Sequence, residues 1–358
     1  MANDYLGSNI PKLGFGLMRL PALGQHGPAA EIDIEQVKAM TDRFMAEGFT
    51  YFDTAYVYGN GKSENAGRDA LVRRYPRGSF QLADKMPLGL AKSEDDLERL
   101  FNISLERTEA GYFDFYLLHA LQRENYEHAE KIGAWHFLSR MKQTGRIRHM
   151  GFSFHDNAEL LDEILTAHPE TEFVQLQINY ADWINEDSRA QSKRCYEVAR
   201  HHNKPVIIME PVKGGFLADM NDDVMAVFKP ARPSHSAAAW ALRFAASREG
   251  IITVLSGMSS IAQMEDNLST MKSFEPMNEE DNAVIGQVMD ILNSIPVIAC
   301  TACNYCVDDC PQKINIPGVF RLANDYKIYG NLTASRGAYG WVTHGGGKAS
   351  GCISCAAC

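Results

Sequence analysis

The sequence lacks the features that mark membrane, secreted and nucleic-acid-binding proteins. It has no run of roughly eighteen apolar residues that could form a transmembrane helix. Its first residues contain neither a basic cluster nor an apolar run, so they do not resemble a secretory signal. The chain has 35 Lys and Arg against 45 Asp and Glu, and a net charge of −10 does not suit binding to a phosphate backbone. We therefore expect a cytoplasmic protein with no membrane or nucleic-acid partner.

Cysteine is nearly absent from most of the chain. Cys195 is alone among the first 299 residues, and the other seven cysteines lie in the last 59. Because cytosolic thiols are kept reduced, this crowding indicates metal or redox chemistry rather than disulfides. Cys195 lies in a predicted helix and is expected to be a buried, inert thiol.

The glycine-rich stretches lack the spacing of nucleotide-binding loops. Gly14-x-Gly16 continues to Arg19, where a dinucleotide fingerprint needs a third glycine. Residues 345–348 read Gly-Gly-Gly-Lys but lack the earlier glycine of a phosphate loop and are followed by alanine. Neither stretch points to a nucleotide by itself.

The chain of 358 residues, 45% of them hydrophobic, is long enough for a barrel of about 250 residues with an appendage. Eight short runs of apolar, β-branched or aromatic residues alternate with segments of helical spacing, near residues 13–18, 49–53, 79–85, 113–118, 147–152, 173–178, 205–209 and 252–256. Such alternation is typical of a parallel sheet with crossover helices. Eight repeats predict an α/β fold closed into a (β/α)8 TIM-type barrel, with an open doubly wound sheet as the alternative.

Polar side chains follow three neighbouring predicted strands. Asp53 and Tyr58 come after the second run. Lys85 and His119 end the third and fourth runs. Chemistry in such barrels lies at the carboxyl ends of the strands, so we expect these four side chains to share one pocket. A lone lysine, tyrosine or histidine there is commonly solvated or structural, but four at matching strand ends are more specific.

These four residues have the properties needed to reduce a carbonyl group. A phenol with a pKa near 10 is a weak acid, but the Lys85 ammonium is expected to lower the pKa of Tyr58. Asp53 would keep Lys85 charged and in place. Tyr58 and His119 would stabilise the oxygen that gains charge, with Tyr58 donating the proton. No side chain can supply hydride, so a nicotinamide or a flavin must supply it.

Longer segments resemble the aldo-keto reductase superfamily over about residues 8–270. The resemblance rests on residues 10–16 with 18–21, 53–59 with 63–64, 85, 114–119, 151–153, 175–180, 210–215 and 257–267. It implies an oxidoreductase that interconverts a carbonyl and an alcohol with a nicotinamide cofactor. It also implies a catalytic tetrad of Asp53, Tyr58, Lys85 and His119.

The same resemblance implies where the nicotinamide nucleotide binds. Ser153 and Gln175 are expected to hold the carboxamide. The pyrophosphate and adenosine are expected to contact Glu210, Val212, Gly214, Gly215, Ser256, Gly257, Ser259, Gln263 and Asn267. Phe154 stands where the family often has asparagine, and Ser259 stands where members that prefer NADPH carry Lys or Arg. We therefore expect NADP or NAD, with FMN as an alternative.

The tail contains the cysteine spacing of bacterial iron–sulfur proteins. The first run matches C-x2-C-x2-C-x3-C-P and consists of Cys300, Cys303, Cys306, Cys310 and Pro311. A second run begins 42 residues later and consists of Cys352, Cys355 and Cys358. Structural zinc is the alternative, but it commonly uses two separated C-x2-C pairs. The tail resembles the ferredoxin-like domain, with one or two 4Fe–4S clusters, that one branch of the aldo-keto reductases carries.

Seven tail cysteines cannot fill the eight ligand positions of two clusters. In two-cluster ferredoxins the fourth cysteine of each run ligates the other cluster, so Cys310 is expected to complete the cluster of the second run. We expect either a chain truncated after Cys358 or one incomplete, labile cluster. The predicted domains are a barrel over 1–275, a connecting helix over 276–296 and a cluster domain over 297–358.

Together the two halves allow three functions. In the first, an enzyme of anaerobic metabolism converts a small-molecule carbonyl or alcohol, and its clusters relay electrons to or from a ferredoxin or flavoprotein. In the second, the clusters are structural or redox-sensing. In the third, the barrel is a binding scaffold or flavin-using electron-transfer protein, which the intact tetrad disfavours. Substrate contacts are expected from His155, Tyr180, Trp183 and Phe216.

Overall fold

The computed structural model describes residues 5–24, 31–185, 188 and 190–358. The chain divides into two compact units. The barrel unit comprises Met1–Pro211 and Ala241–Pro276, and the tail unit comprises Val212–Trp240 and Met277–Cys358. This division differs from the predicted domains because residues 212–240, which we expected in the barrel, cluster with the tail.

Eight parallel strands close into a barrel. They are β1 to β8 in chain order, namely Leu13–Gly16, Tyr51–Asp53, Gln81–Met86, Phe113–Leu121, Ile147–Phe154, Phe173–Gln177, Val206–Met209 and Ile251–Ser256. Each strand pairs with the next, and β1 closes the ring by pairing with both β2 and β8. Every predicted run overlaps one strand, so the (β/α)8 prediction is confirmed and the open-sheet alternative is wrong. A two-residue antiparallel pair, Ala22–Leu23 with Glu31–Ile32, lies outside the barrel sheet.

The helices follow the strands with caps that the sequence supplies. In chain order α1 to α15 are Ile34–Ala46, Ser63–Gly67, Glu94–Thr108, Arg123–Lys131, Ala134–Gln143, Ala158–Ala167, Tyr180–Ile184, Ser192–His201, Asp222–Ala231, Ala237–Ala246, Ile261–Lys272, Glu279–Ser294, Tyr305–Asp308, Ile316–Tyr329 and Leu332–Val342. Ser93 accepts from the backbone N–H of Asp96 and so caps α3. In the described residues, no helix has the length and apolar character needed to cross a membrane.

Side chains alternate between the two faces of each strand, which gives the barrel two layers of core. The same alternation determines which residues face the candidate site. Tyr51, Ala83, Leu117 and Phe173 belong to one buried apolar cluster, which fills the barrel interior. A larger cluster packs between the strands and the helices. Successive side chains of a strand point to opposite faces, so residues two positions after the interior cluster also point inward. Asp53, Lys85, His119 and Gln175 occupy those positions.

The tail unit is helical where it is described. The predicted connecting helix is present as α12, and its buried Ile285, Val288 and Leu292 lie on a helix that packs against α9 and α14. Arg232 makes two hydrogen bonds to Asp281 at 2.7 and 2.8 Å. In the described part of the tail, extended pairing is limited to one bridge, Ile314 with Gly347.

Candidate active site

Lys85 is the centre of the candidate site. Its side chain is fully buried, and Nζ lies 2.5 Å from Asp53 Oδ1 and 2.7 Å from the carbonyl oxygen of Thr54. Burial is the largest influence on the pKa of Lys85 and lowers it, but the combined effects of Asp53, Tyr58 and Asp84 outweigh burial and raise the pKa above its ordinary value. Lys85 is therefore charged at neutral pH. For Asp53, burial outweighs the lowering effect of Lys85, and the pKa of this carboxyl is raised.

Tyr58 lies beside Lys85 at the start of a tight turn. Gly59, Asn60 and Gly61 all have positive φ, so the chain reverses immediately after the tyrosine. Lys85 Nζ lies 4.8 Å from the Tyr58 ring centroid. Burial raises the pKa of Tyr58 more than Lys85 lowers it. The expected lowering by Lys85 is thus present but does not dominate, and the phenol keeps its proton at neutral pH.

His119 lies next to Tyr58 and is neutral. The two ring centroids are 5.7 Å apart and the rings are close to perpendicular, at 76°. Burial, and then the positive charge of Lys85, lowers the pKa of His119 to about 3. A neutral imidazole can donate one N–H but cannot act as a strong acid near pH 7. Of this pair, Tyr58 is the side chain that still carries an acidic proton at neutral pH.

A strained turn fixes the backbone directly after His119. Ala120 has φ +57°, which is costly for a residue with a Cβ. Its N–H donates to Ser153 Oγ at 2.7 Å, and its carbonyl oxygen accepts from Asn125 Nδ2 at 2.6 Å. Asn125 Oδ1 also accepts from the N–H of Gln122 at 2.6 Å. Sequence reasoning missed Asn125, although its place three residues after the helix-capping Gln122 is a capping-box signal.

Gln175 and Ser153, the predicted carboxamide contacts, lie at neighbouring strand ends. Gln175 is 2% exposed, and its Oε1 has no hydrogen-bond partner among the described residues. Its Nε2 lies 3.5 Å from Met209 Sδ. Ser153 Oγ accepts from Ala120, so its own proton can be donated elsewhere. A buried amide oxygen without a donor is costly, and a bound group with an N–H would satisfy it.

The other predicted cofactor residues are divided between the two units. Ser256 and Asn267 are buried and bonded to each other at 2.7 Å, while Gln263 Oε1 accepts from the N–H of Ser259 at 2.7 Å. Gly257 lies with them in the barrel unit, as does Glu210, whose carboxylate is 4.0 Å from Arg19. The last three predicted cofactor residues lie in the tail unit and are Val212, Gly214 and Gly215. They belong to one turn, in which both glycines have positive φ.

Both cysteine runs of the tail have the same unusual backbone. In the first run the residues on either side of Cys303, Ala302 and Asn304, have positive φ. In the second run the residues on either side of Cys355, Ser354 and Ala356, also have positive φ. A hydrogen bond from the N–H of Tyr305 lowers the pKa of Cys303. The N–H of Ser354 lies 3.5 Å from Cys352 Sγ. Turns of this kind direct N–H groups toward anionic ligands, as in many iron–sulfur sites.

In the described residues, the tail cysteines do not converge in space as the ligands of a single metal ion do. Within the described ranges, no three His, Cys, Asp or Glu side chains are arranged to hold one metal ion. Desolvation, followed by the nearby thiols of Cys303, Cys300 and Cys358, raises the pKa of Cys306. The last cysteine of the chain therefore lies near the first run.

The structure shows where three side chains singled out in the sequence lie. Cys195 is buried, and burial raises the pKa of its thiol to about 12, so the inert-thiol prediction is confirmed. Tyr180, which was predicted to line the substrate pocket, is fully buried against Phe244. Phe216, predicted beside it, packs on Tyr329 within the tail unit.

Sequence comparison identifies relatives of the barrel. The sequence profile of the Aldo/keto reductase family matches residues 12–290. The chain is 25% identical to the L-galactose dehydrogenase of Arabidopsis thaliana over 308 residues, which cover 81% of this chain and 92% of that protein. It is 26% identical to a probable aldo-keto reductase 1 of Glycine max over 201 residues, 54% of each protein.

Solved structures share the fold. An aldo-keto reductase from Klebsiella pneumoniae in complex with NADPH matches with a TM-score of 0.59 and 21% identity, over 78% of this chain and 91% of that chain. The holo form of an aldo-keto reductase from Bacillus halodurans matches with a TM-score of 0.61 and 21% identity, over 80% and 96%. The family profile spans all eight strands and includes Lys85 with Asp53, Tyr58 and His119, and it ends before Cys300. The chain therefore belongs to the aldo/keto reductase family of oxidoreductases.

Proposed function

We propose that the barrel unit interconverts a carbonyl and an alcohol on a small molecule, by hydride transfer with a nicotinamide cofactor. The observation that carries this proposal is the buried Lys85–Asp53 pair beside a protonated Tyr58 and a neutral His119. A scaffold gains nothing from burying an ion pair against a phenol, whereas a carbonyl reductase needs a proton donor and a stabilised conjugate base.

The residues at the strand ends fit the cofactor's carboxamide. A carboxamide offers an N–H donor and a carbonyl acceptor, which suit the unpaired Oε1 of Gln175 and the free hydroxyl proton of Ser153. The NADPH complex of the Klebsiella pneumoniae relative favours NADP. Ser259 offers no positive charge to a 2′-phosphate, so NAD is the second choice. No observation in the described residues favours FMN, and we do not propose it.

Residues of the barrel would donate the proton and stabilise the negative charge that develops on the carbonyl oxygen. A bound nicotinamide supplies the hydride that the carbonyl carbon accepts. The Tyr58 hydroxyl and the His119 N–H donate hydrogen bonds to the carbonyl oxygen, and Tyr58 gives its proton to that oxygen as charge develops. Lys85 then stabilises the phenolate, and Asp53 holds Lys85 charged and in place. In the reverse direction Tyr58 accepts the alcohol proton.

Cofactor consumption across a panel of carbonyl compounds tests this proposal. We expect oxidation of NADPH, or of NADH, with at least one aldehyde, ketone or hydroxyl-rich sugar. L-Galactose with the oxidised cofactor belongs in the panel because of the Arabidopsis relative. Cofactor binding is measured in parallel by calorimetry. Failure to bind either nucleotide, or binding with no turnover of any class, would contradict the assignment.

We also propose that the tail cysteines hold one or two 4Fe–4S clusters, which relay single electrons to or from a ferredoxin or flavoprotein. Two runs with matching spacing and matching positive-φ turns support this proposal. Cysteines of a cubane each bind a different iron, so they need not converge on one ion. The residues named are Cys300, Cys303, Cys306 and Cys310 in the first run and Cys352, Cys355 and Cys358 in the second.

Anaerobic purification tests the clusters separately from the reductase. We expect iron, acid-labile sulfide and a visible cluster band, which Cys303→Ser weakens and the matched control Cys195→Ser leaves intact. Reduced ferredoxin should bleach the band by passing single electrons to the clusters, and NADPH should bleach it when a flavoprotein is present to divide the hydride into single electrons. An unchanged band with both reductants would refute the relay and favour structural or redox-sensing clusters. Absence of iron would refute the clusters altogether.

A further inference from the structure

Two buried carboxyl groups lie behind the candidate site. Asp84 precedes Lys85 on β3, so it points away from the barrel interior toward the helices. Glu64 lies in α2, directly after the turn that begins at Tyr58. Both side chains are fully buried. Neither belongs to the mechanism proposed above.

Each carboxyl has one oxygen with a donor and one without. Asp84 Oδ1 accepts from the backbone N–H of Lys85 at 2.7 Å, and Glu64 Oε2 accepts from Arg107 Nη1 at 2.8 Å. Asp84 Oδ2 and Glu64 Oε1 find no N–H or O–H donor among the described residues. The two carboxyl groups are instead in hydrogen-bond contact with each other. Ionised carboxylates only accept, so one of the pair must carry a proton.

The surrounding charges agree with one shared proton. Arg107 of α3 supplies one positive charge to the pair, and Glu64 faces Asp84 from α2. Lys85 is the cation on Asp84's own strand, while Tyr116 of the neighbouring strand β4 adds only a neutral, buried hydroxyl. Burial, and then the charge of Glu64, raises the pKa of Asp84 well above its usual range. Asp84 is therefore the protonated member.

We propose that Asp84 is a positioning residue whose proton, shared with Glu64, holds the Tyr58 segment against the strand that carries Lys85. The bond joins two elements that meet at the site, since Glu64 follows Tyr58 by one short turn and Asp84 is bonded to the backbone of Lys85. This role rests on the proposed carbonyl reduction, because it acts on the distance between phenol and ammonium. The proton itself does not depend on that function.

Two substitutions of Asp84 separate the proton from the packing. Asp84→Asn keeps a donor toward Glu64, so carbonyl reduction should stay within about threefold of the wild-type rate at neutral pH. Asp84→Leu removes the bond and should lower kcat about a hundredfold through misplacement of Tyr58, with little change in KM. Wild-type activity should fall in alkaline solution as the shared proton is lost, whereas Asp84→Asn should retain it.

Infrared spectroscopy reads the proton without reference to activity. We expect a protonated-carboxyl band at neutral pH that disappears in Asp84→Asn and persists in Tyr58→Phe. The proposal is overturned if Asp84→Asn removes no such band, or if a folded Asp84→Leu matches the wild-type kcat. If Asp84→Leu does not fold, the proposal is decided by Asp84→Asn, from its infrared carboxyl band and from its carbonyl reduction in alkaline solution. A protein that shows the band but reduces no carbonyl would keep the shared proton and refute the proposed function instead.

Discussion

Replacing Lys85 by methionine separates the electrostatic role of the ammonium from its volume. In the wild-type protein Nζ donates to Asp53 at 2.5 Å and to the Thr54 carbonyl oxygen at 2.7 Å, in a fully buried position. At an effective dielectric of about 20, the Coulomb attraction at that separation is about 7 kcal/mol. Desolvation offsets much of this attraction. Removing one partner of a buried pair costs about 3–5 kcal/mol, because the other charge is left uncompensated.

The pH dependence of this stability loss has a definite sign. Burial already raises the pKa of Asp53, and loss of Lys85 removes the charge that opposes the rise. A carboxyl whose pKa is higher in the folded than in the unfolded protein loses its contribution to stability as pH rises through the folded-state pKa. Urea unfolding of Lys85→Met should therefore show a small deficit in acid and a large one at neutral pH.

Catalysis should fail separately from stability. Without Lys85 the pKa of Tyr58 rises further and the phenolate has no counter-charge, so kcat should fall about a hundredfold to ten-thousandfold. The Lys85→Met/Asp53→Asn double variant removes the uncompensated carboxylate, so it should regain stability but not activity. The reasoning is refuted if Lys85→Met reduces carbonyls at the wild-type rate, or if it unfolds at the wild-type urea concentration at neutral pH.

Substitutions at three further residues probe the surroundings of this pair. Because the pKa of His119 is about 3, the kcat profile should show no histidine limb between about pH 5 and 8. His119→Gln, which keeps an N–H donor, should be more active than His119→Ala in the same profile. Gln175→Leu should raise the NADPH Kd about tenfold in calorimetry, since one hydrogen bond is lost, with kcat nearly unchanged. Asn125→Ala frees the carbonyl of Ala120, so kcat should fall about tenfold while the thermal midpoint moves by only a few degrees; an unchanged kcat would show that the turn does not position His119.

The barrel and the four central residues were predictable because the relevant signals are local. Each strand is a short apolar run, and each site residue lies near or shortly after the end of its strand, as Lys85 does in Gln81–Met86. The period of two along a strand then places Asp53 and His119 on the same inner face. Closure of eight such units follows from their number.

Other features depend on contacts between distant segments. The Ala120 turn exists because Ser153, from the next strand, accepts its N–H. The Asp84–Glu64 bond joins a strand to a helix, and no spacing rule links positions 64 and 84. The net pKa of Tyr58 was also unpredictable, because burial of the phenol outweighs the charge of Lys85.

In the tail, helix α14 and the grouping of residues 212–240 with the tail unit were not predicted from the sequence. Ordinary helix signals lie between the two cysteine runs. Asn315 caps α14, Pro317 lies in its first turn, and Gly330 ends it with φ +71°. The placement of residues 212–240 with the tail depends on packing against α12, which composition does not reveal.

Tyr58→Phe tests whether Tyr58 donates the proton in carbonyl reduction, because the substitution removes only the phenolic hydroxyl. Calorimetry first establishes that the variant binds NADPH as the wild type does, and carbonyl reduction is then measured with the same substrate. We expect unchanged cofactor affinity and a loss of kcat of about a hundredfold to ten-thousandfold. Wild-type turnover by Tyr58→Phe would contradict this role.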